Sequence, residues 1–356
     1  MAYRALARFL RSPEEGPRVV VIGGGTGLST MLRGLKLYTQ NLTAIVTVAD
    51  DGGSSGILRR DLGILPPGDI RNCIMALADV EPVMESLLNH RFQEGSLANQ
   101  SFGNLFIAAM IEVCGGNTSE AVRNMSRVLA VTGTVLPVSL CDIEISARLS
   151  DGRVIRGESH IGERPLPDGV RIERVTMTPA AARPLPEALE AIAAADLIVL
   201  GPGSLYTSVI PNLLFPELVS ALAAAVALRV YVANVMQQPE ETRGYTASDH
   251  LRALLQTCGR EHAGGLIDYC IMNEAGIADD IRARYRASGA EIVAADREAV
   301  EALGAKAIVA PLAVLSDGLV RHDAARLARE LMKLAVESIE RQVAAASTRI
   351  YRGLEG

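Results

Sequence analysis

The sequence predicts an α/β fold: a Rossmann-like, mostly parallel sheet with helices on both faces and an antiparallel β insertion. Along most of the 356 residues, short aliphatic and β-branched runs alternate with segments of helical periodicity. Strands that alternate with helices form parallel sheets covered on both faces. Between residues 134 and 178 the alternation stops, and strand patterns follow one another across Gly-containing turns. That pattern is typical of antiparallel pairing.

The first part of the chain begins with two buried strands. The runs at residues 19–22 and 43–49 are almost continuously apolar, as expected of strands that are covered on both faces. Ser101 is a candidate N-cap for one of the helices that follow. Helical periodicity is found at residues 28–38, 70–77, 82–92, 102–114 and 118–130.

The middle of the chain predicts the insertion, and the βα pattern then returns. The insertion strands are expected at residues 135–140, 143–149, 154–161 and 170–177. Later strands are expected near residues 197–200, 229–233, 269–272, 291–294 and 307–310, and a final helix at 324–345. We therefore predict one α/β domain over residues 18–345 with a β insertion around 134–178, an N-terminal extension at 1–17 and a C-terminal tail at 346–356.

Composition excludes several classes of function. A net charge of -6, an aromatic content of 4% and the absence of Trp argue against a nucleic-acid-binding surface, which needs basic stripes and stacking rings. Five scattered cysteines form no Cys-x-x-Cys pair, which predicts reduced thiols in a cytoplasmic protein without a zinc site.

Membrane insertion is not expected either. Arg4, Arg8 and Arg11 interrupt the apolar run that a signal peptide would need, and prolines and glycines break the longest uncharged segment, residues 197–216. We therefore predict a cytoplasmic protein with no membrane span. The sequence leaves a homo-oligomer open.

The most informative segment is the glycine-rich loop after the first strand. Residues 23–27 read Gly-Gly-Gly-Thr-Gly, and a helical pattern starts near Thr26. Glycine lets backbone N–H groups approach an anion closely, and the positive end of the helix dipole points at the same place. The loop predicts a phosphate or diphosphate cradle; the alternative is a tight turn without a ligand, because the spacing matches neither the dinucleotide fingerprint nor the P-loop.

A second loop follows the second strand, and parallel strands place both loops at one edge of the sheet. It contains Asp50, Asp51, Ser54 and Ser55 among three glycines. Asp50 could hold Mg²⁺, which binds one or two carboxylates together with phosphate oxygens, or it could bind a ribose hydroxyl. The alternative is an exposed turn rich in Asp and Gly.

Two more loops have the same character. Residues 66–72 place Asp69 as a candidate helix N-cap, with Arg71 and Asn72 able to reach a phosphate or a base. Residues 201–208 follow another buried strand and offer glycine N–H groups and hydroxyls. The candidate ligand-binding residues in these four loops are Gly23, Gly24, Gly25, Thr26, Gly27, Asp50, Asp51, Ser54, Ser55, Asp69, Arg71, Asn72, Gly201, Gly203, Ser204 and Thr207.

Together these loops resemble the CofD-like superfamily and, within it, the YvcK-type branch of bacterial gluconeogenesis factors. The resemblance covers residues 18–340 and adds Asn104, Asn234 and Arg321 as expected ligand contacts. One loop differs from the branch: where its members read Met-Thr-Gln-Pro-Gly-Glu-Thr, residues 236–242 here read Met-Gln-Gln-Pro-Glu-Glu-Thr. The segments that carry the resemblance are 23–29, 49–56, 67–73, 101–104, 201–208, 234–236, 241–242 and 319–323.

The resemblance implies two functions that share one nucleotide cradle. The YvcK-type branch implies a cytoplasmic regulator of cell shape and envelope precursor flux during gluconeogenic growth, which binds UDP-GlcNAc or UDP-glucose. The founding enzyme of the superfamily implies the alternative, a Mg²⁺-dependent phospholactyl transferase acting on a nucleoside-diphosphate donor. A NAD-dependent oxidoreductase rests on the glycine loop alone.

No residue pairing in the sequence announces covalent catalysis. The chain shows no Ser–His–Asp or Cys–His arrangement, which disfavours covalent catalysis but does not separate binding from turnover, because both would use the same residues. The low aromatic content and the branch resemblance favour binding without turnover, and the identity of any catalytic residue stays unknown. Mg²⁺ at Asp50 is the one candidate cofactor.

Overall fold

The computed structural model describes residues 2–316 and 318–354. The strands in this part of the chain are β1 (Val19–Gly23), β2 (Leu42–Val46), β3 (Thr134–Pro137), β4 (Glu144–Leu149), β5 (Val154–Arg156), β6 (Ile172–Thr178), β7 (Leu197–Leu200), β8 (Leu228–Val232), β9 (Tyr269–Asn273), β10 (Lys306–Ala310), β11 (Ala313–Ser316) and β12 (Leu319–His322).

The helices in the same part of the chain cover both faces of the main sheet. They are α1 (Ala2–Phe9), α2 (Gly25–Leu35), α3 (Gly53–Leu62), α4 (Gly68–Leu77), α5 (Pro82–Asn89), α6 (Phe102–Val113), α7 (Thr118–Val128), α8 (Glu158–Ile161), α9 (Pro186–Ala194), α10 (Ile210–Leu213), α11 (Pro216–Ala224), α12 (Ala247–Thr257), α13 (Asp279–Ala287), α14 (Arg297–Ala302) and α15 (Ala324–Leu354). Short 3₁₀ turns lie at Pro13–Glu15 and Gly95–Leu97, and a π-helix at Leu205–Val209 precedes α10.

The main sheet is parallel throughout, and its strand order reverses next to β1. The order is β10-β9-β8-β7-β1-β2-β3. The chain therefore builds outward from β1 through β2 to β3, returns to β7 on the other side of β1, and continues to β10. Such a reversal opens a crevice at the carboxyl ends of the two strands that flank it, which is where open α/β sheets bind ligands.

Alternate residues of the central strands enter two separate hydrophobic cores. Val20 and Ile22 of β1 pack with the inner face of the insertion and with α9 to α12. Val19 and Val21 pack with α2, α4, α6, α7 and α15 on the other side. Because both faces of the sheet are buried, its strands read as continuous apolar runs. The predicted fold class is confirmed.

The insertion is smaller than the sequence pattern suggests. β4, β5 and β6 form an antiparallel three-stranded sheet in the order β5-β4-β6. The segment at residues 134–137, predicted as the first insertion strand, instead pairs in parallel with β2 as the edge of the main sheet. Its ladder continues beyond the strand, because the Val138 N–H donates to the Val46 carbonyl over 2.8 Å.

Three other local predictions differ from the structure. The strand expected at residues 154–161 ends at Arg156, and residues 158–161 form the short helix α8. The strand expected at residues 291–294 is reduced to one bridge between Met236 and Ile292, because this segment faces the loop after β8 and no regular strand. The helix that was expected to begin at Asp69 begins at Gly68, with Pro67 in the N-cap position. The Asp69 carboxylate is therefore free to act elsewhere.

Membrane-spanning potential is limited in the described residues. No single helix there is both long and apolar enough to cross a membrane, although the bent pair Leu205–Leu213 and Pro216–Ala224 reaches that length and composition when its two members are combined.

Candidate functional site

The loop between β1 and α2 is built on close backbone approaches. A Cβ on Gly24 would lie 2.4 Å from Asp69 Oδ2, and one on Gly27 would lie 2.8 Å from the Pro202 carbonyl oxygen. Gly25 has φ +68°, and an added Cβ would meet only Ser208 Oγ at 3.6 Å. The glycines thus let the loop nest against two neighbouring segments, while the Gly25 position stays open towards the crevice.

The loop after β7 approaches the glycine loop from the other side of the crevice between β1 and β7. It passes through Gly201 at φ +74° and then enters the π-helix. π-helical turns are rare and are frequent at functional sites. Buried Glu241 fixes this turn: it accepts from the Tyr206 N–H at 2.8 Å and from Thr207 Oγ1 at 2.6 Å.

The loop after β8 closes the floor of the crevice with amide side chains. Gln238 Nε2 donates to Ser204 Oγ at 2.7 Å, and Asn234 Nδ2 donates to Gln238 Oε1 at 3.3 Å. Gln237, one of the two residues that differ from the branch pattern, turns away and bonds to the Tyr245 carbonyl and the Gly244 N–H. Gln237 is therefore not among the residues that line the crevice.

A small hairpin, β11–β12, covers the far side of the crevice. Val320, Arg321 and His322 face into it. His322 is buried, its Nε2 lies 3.2 Å from the Ala233 carbonyl, and burial lowers its pKa to about 4. A neutral imidazole therefore anchors the hairpin to the sheet and leaves Arg321 as the cation that faces the crevice.

Together these four segments form a cleft of about 220 Å³ at the switch point between β1 and β7. The N-terminal end of α2 and the start of the π-helix both open into it, so that backbone N–H groups and the positive ends of helix dipoles converge there. Its lining residues are Gly25, Thr26, Gly27, Thr30, Pro202, Gly203, Ser204, Asn234, Val235, Met236, Gln238, Val320, Arg321 and His322.

A carboxylate pair lies beside the glycine loop. Asp50 Oδ1 accepts from the Gly52 N–H at 2.9 Å, and its carboxylate also bonds to Ser55. Asp69 accepts from the Gly25 N–H. Burial, followed by the negative charge of Asp50, raises the pKa of Asp69 to about 6, and burial also raises the pKa of Asp50. Two partly desolvated carboxylates that repel one another favour a nearby cation.

The insertion contributes a third carboxyl, which sequence reasoning missed. Burial and then the charges of Asp50 and Asp69 raise the pKa of Glu158 to about 8. Asp51 fixes its segment by accepting from the Ser159 N–H at 2.8 Å. No sequence pattern marks this carboxyl: the φ of +88° at Gly157, directly before Glu158, and the lack of room for a Cβ beside Asp51 are properties of the fold alone.

A buried polar network supports the acidic side from behind. Ser54 Oγ donates to Gln100 Oε1 at 2.6 Å and accepts from the Ser101 N–H and from Asn104 Nδ2. Ser101 lies at the N-cap of α6 but makes no side-chain cap bond; its Oγ accepts from Arg71. The hydroxyls in this network hold loops together.

The structure distributes the predicted site residues over three environments. The cleft itself is lined by Gly25, Thr26, Gly27, Gly203, Ser204, Asn234 and Arg321. The acidic side holds Asp50, Ser55 and Asp69 together with the neighbouring Arg71 and Asn72. Internal contacts and backbone roles occupy Gly23, Gly24, Asp51, Ser54, Asn104, Gly201 and Thr207.

The cleft also contains residues that the sequence did not predict, and no motif marks them. Thr30, Met236 and Gln238 are examples. Gln238 could have been predicted as a cleft residue, because it is a polar residue in the same loop as Asn234, directly after a predicted strand. Thr30 lies one turn into α2, and nothing in its local sequence separates it from a solvent-facing helical residue.

Comparison with known protein families assigns most of this chain to one family. The family model described as "2-phospho-L-lactate transferase CofD" matches residues 19–313. The chain belongs to the CofD family. Its CofD region includes both strands at the switch point, the glycine loop, the acidic pair and the β insertion, so that the whole site described above lies within the family's own segment apart from the β12 residues of the hairpin.

Relatives of this CofD protein are named gluconeogenesis factors. The Bacillus subtilis gluconeogenesis factor is 47% identical over 91% of this chain and 99% of its own length. The Halalkalibacterium halodurans gluconeogenesis factor is 46% identical over 88% of this chain and 95% of its own length. A crystal structure of a Bacillus halodurans protein, described as a member of the UPF0052 family, shares 45% identity at a TM-score of 0.82 and covers 88% of this chain and 98% of that one.

Proposed function

We propose that this protein is a cytoplasmic regulator that binds UDP-GlcNAc or UDP-glucose, leaves it chemically unchanged, and controls cell shape and envelope precursor flux during gluconeogenic growth. One observation carries the proposal: the cleft at the β1–β7 switch point, where the backbone of Gly25 to Gly27 faces the backbone and hydroxyl of Gly203 and Ser204. Such N–H cradles at helix starts bind phosphate groups. The names of the relatives supply the gluconeogenic setting.

The remaining cleft residues suit the other parts of a nucleotide sugar. Asn234 and Gln238 offer amide donors and acceptors for hydroxyls. Arg321 offers a cation at the opposite wall, within reach of a second phosphate oxygen. The described residues hold no Ser, Cys or Lys that pairs with a base in this cleft, in keeping with binding without covalent chemistry.

The second candidate is a Mg²⁺-dependent transferase that acts at the diphosphate, and the acidic pair favours it. The described residues contain no cluster of three or more His, Cys, Asp or Glu side chains arranged to hold a metal. Mg²⁺ does not need one, since it binds through one or two carboxylates plus substrate phosphates and water. Asp50 and Asp69 fit that requirement, and a bound Mg²⁺ would neutralise charge on the phosphates.

Calorimetric titration of UDP-GlcNAc and UDP-glucose, with and without Mg²⁺, tests the proposal. We expect one saturable site per chain, with tighter binding when Mg²⁺ is present. UMP and GlcNAc are the controls, because a diphosphate cradle should bind them far more weakly. Equal affinity for UMP and UDP-GlcNAc would show that the cradle does not contribute.

A further inference from the structure

Two arginines meet on the α4 side of the cleft. The backbone of Arg91 forms a bridge with Ser101, and the Ser101 hydroxyl accepts from Arg71 Nη1. Arg71 Nη2 donates to Asn72 Oδ1 at 2.8 Å, while Arg91 Nη1 donates to the Asn99 carbonyl. Both guanidinium groups are therefore held in place by neutral oxygen acceptors.

No carboxylate of the described residues forms an ion pair with Arg71 or Arg91. Burial and then the positive charge of Arg91 lower the pKa of Arg71, and Asp69 and Asp50 offset only part of that effect. Arg71 Nε is buried without a hydrogen-bond partner among the described residues. A partly buried arginine that has no carboxylate partner and lies beside a second cation is unfavourable unless an anion joins it.

The chain builds this arrangement into the start of α6. A Cβ on Gly103 would lie 2.6 Å from Arg71 Cδ and 2.6 Å from the Leu88 carbonyl oxygen. Glycine at this position therefore lets the Arg71 side chain lie against the first turn of α6. The segment Ser101 to Asn104 thus fixes the direction of the Arg71 guanidinium.

Only two side chains separate Arg71 from the glycine loop. Asn72 bonds to Arg71 and also to Asp69, and Asp69 in turn accepts from the Gly25 N–H. A row of hydrogen bonds therefore runs from the Gly25 N–H to the Arg71 guanidinium group.

We propose that Arg71 and Arg91 form a second anion subsite, which binds a carboxylate on the sugar of the nucleoside diphosphate sugar held at the glycine loop. The inference rests on the proposed function and extends its ligand class to sugars that carry an acid group. A carboxylate fits because its two oxygens match the planar donor fork of a guanidinium group.

The test compares UDP-glucuronate with UDP-glucose, which differ only in a carboxylate against a hydroxymethyl group at the sugar C6. By calorimetry, the wild-type protein should bind UDP-glucuronate at least about tenfold more tightly, as expected of charge-assisted hydrogen bonds. Arg91→Ala should remove most of this preference and change UDP-glucose affinity by less than about twofold. Arg123→Ala, which removes one exposed charge from α7, is the matched control and should keep the preference.

Each outcome decides between the two proposals. Equal affinity of the wild-type protein for both sugars would overturn the second subsite and leave nucleotide-sugar binding intact. A preference that survives in Arg91→Ala and in Arg71→Gln would place the carboxylate elsewhere. Failure of both nucleotide sugars to bind would overturn the proposed function and this inference together. Arg91 is exposed, so its variant gives a decision even if Arg71→Gln does not fold.

Discussion

Glycine at position 25 meets two demands that no other residue meets together. Its φ of +68° is strained for a side chain, and the space beyond its Cα is where a phosphate would lie. Valine at this position would be strained at that φ, and its branched side chain would occupy the space of the phosphate. We expect Gly25→Val to weaken UDP-GlcNAc binding at least tenfold in calorimetry, because the backbone N–H groups could no longer approach the phosphate oxygens.

Gly63 provides the matched control for that substitution. It ends α3 with φ +65° and has open space around it. Gly63→Val therefore carries the same backbone strain away from the cleft. Equal losses of affinity in the two variants would mean that strain, and not the cradle, explains the result at Gly25.

Asp50 lies where charge, and not shape, should matter. Asp50→Asn keeps an oxygen for the Gly52 N–H and removes the negative charge. We expect the wild-type protein to bind UDP-GlcNAc more tightly with Mg²⁺ and the variant to lose most of this gain, because the cation would lose one of its two carboxylates. An unchanged Mg²⁺ effect in titrations of Asp50→Asn would reduce Asp50 to a turn residue.

Glu158 should make the stability of the protein depend on pH. Its folded-state pKa, raised from 4.5 to about 8, lies above the unfolded value, so stability present below pH 4.5 is lost as the pH rises towards 8. Without Mg²⁺ at pH 8 we expect Glu158→Gln to be more stable by on the order of 2 kcal/mol, after allowing for solvent screening.

Melting temperatures at pH 5.5 and pH 8 measure this effect. The gain of Glu158→Gln over the wild-type protein should be small at pH 5.5 and grow by pH 8. Glu163→Gln, on an exposed residue of the same segment, should show no such trend. A gain that is equal at both pH values would mean that the Glu158 carboxyl does not titrate in this range.

At the scale of single elements, the β11–β12 hairpin decides whether Arg321 can act on a ligand. Tyr285 of α13 holds it from outside, since its hydroxyl accepts from the Val320 N–H at 2.8 Å. His322 holds it from inside. Asp323 then caps α15 by accepting from the N–H groups of Ala325 and Arg326. The hairpin is therefore a fixed wall of the cleft on both sides of Arg321.

We expect Arg321→Ala to weaken UDP-GlcNAc binding about tenfold without lowering the melting temperature of the ligand-free protein, because Arg321 makes no ion pair among the described residues. Arg329→Ala, on the exposed face of α15, controls for the loss of one positive charge. A lower melting temperature with unchanged affinity would assign Arg321 a structural role.

Elements could be predicted from sequence where local chemistry determines them. The glycine loop and the strands that flank it were readable because apolar runs and glycines mark a strand-to-helix turn. The hairpin itself was missed: its strands are four residues each, and four residues carry too little periodicity to separate a strand from a loop.

At the scale of the whole molecule, the site depends on strand order, which no local pattern contains. β1 and β7 are adjacent in space although their paired first residues, Val19 and Leu197, are 178 positions apart in the sequence. The chain brings Glu158 near Asp50 and Asp69 only once the sheet and the insertion have formed. The role of Glu158 could not be predicted, because it lies in a separate segment that shares no motif with the two aspartates.

The central claim is that a nucleotide sugar binds at the switch point and leaves unchanged. Equilibrium dialysis of labelled UDP-GlcNAc with the protein, Mg²⁺ and a panel of hydroxyl acceptors, followed by chromatography of both compartments, tests it directly. We predict an excess of label on the protein side, all of it intact UDP-GlcNAc. Label divided equally between the compartments, or release of UMP or UDP that Asp50→Asn abolishes, would contradict the account, and the second result would make this protein a transferase.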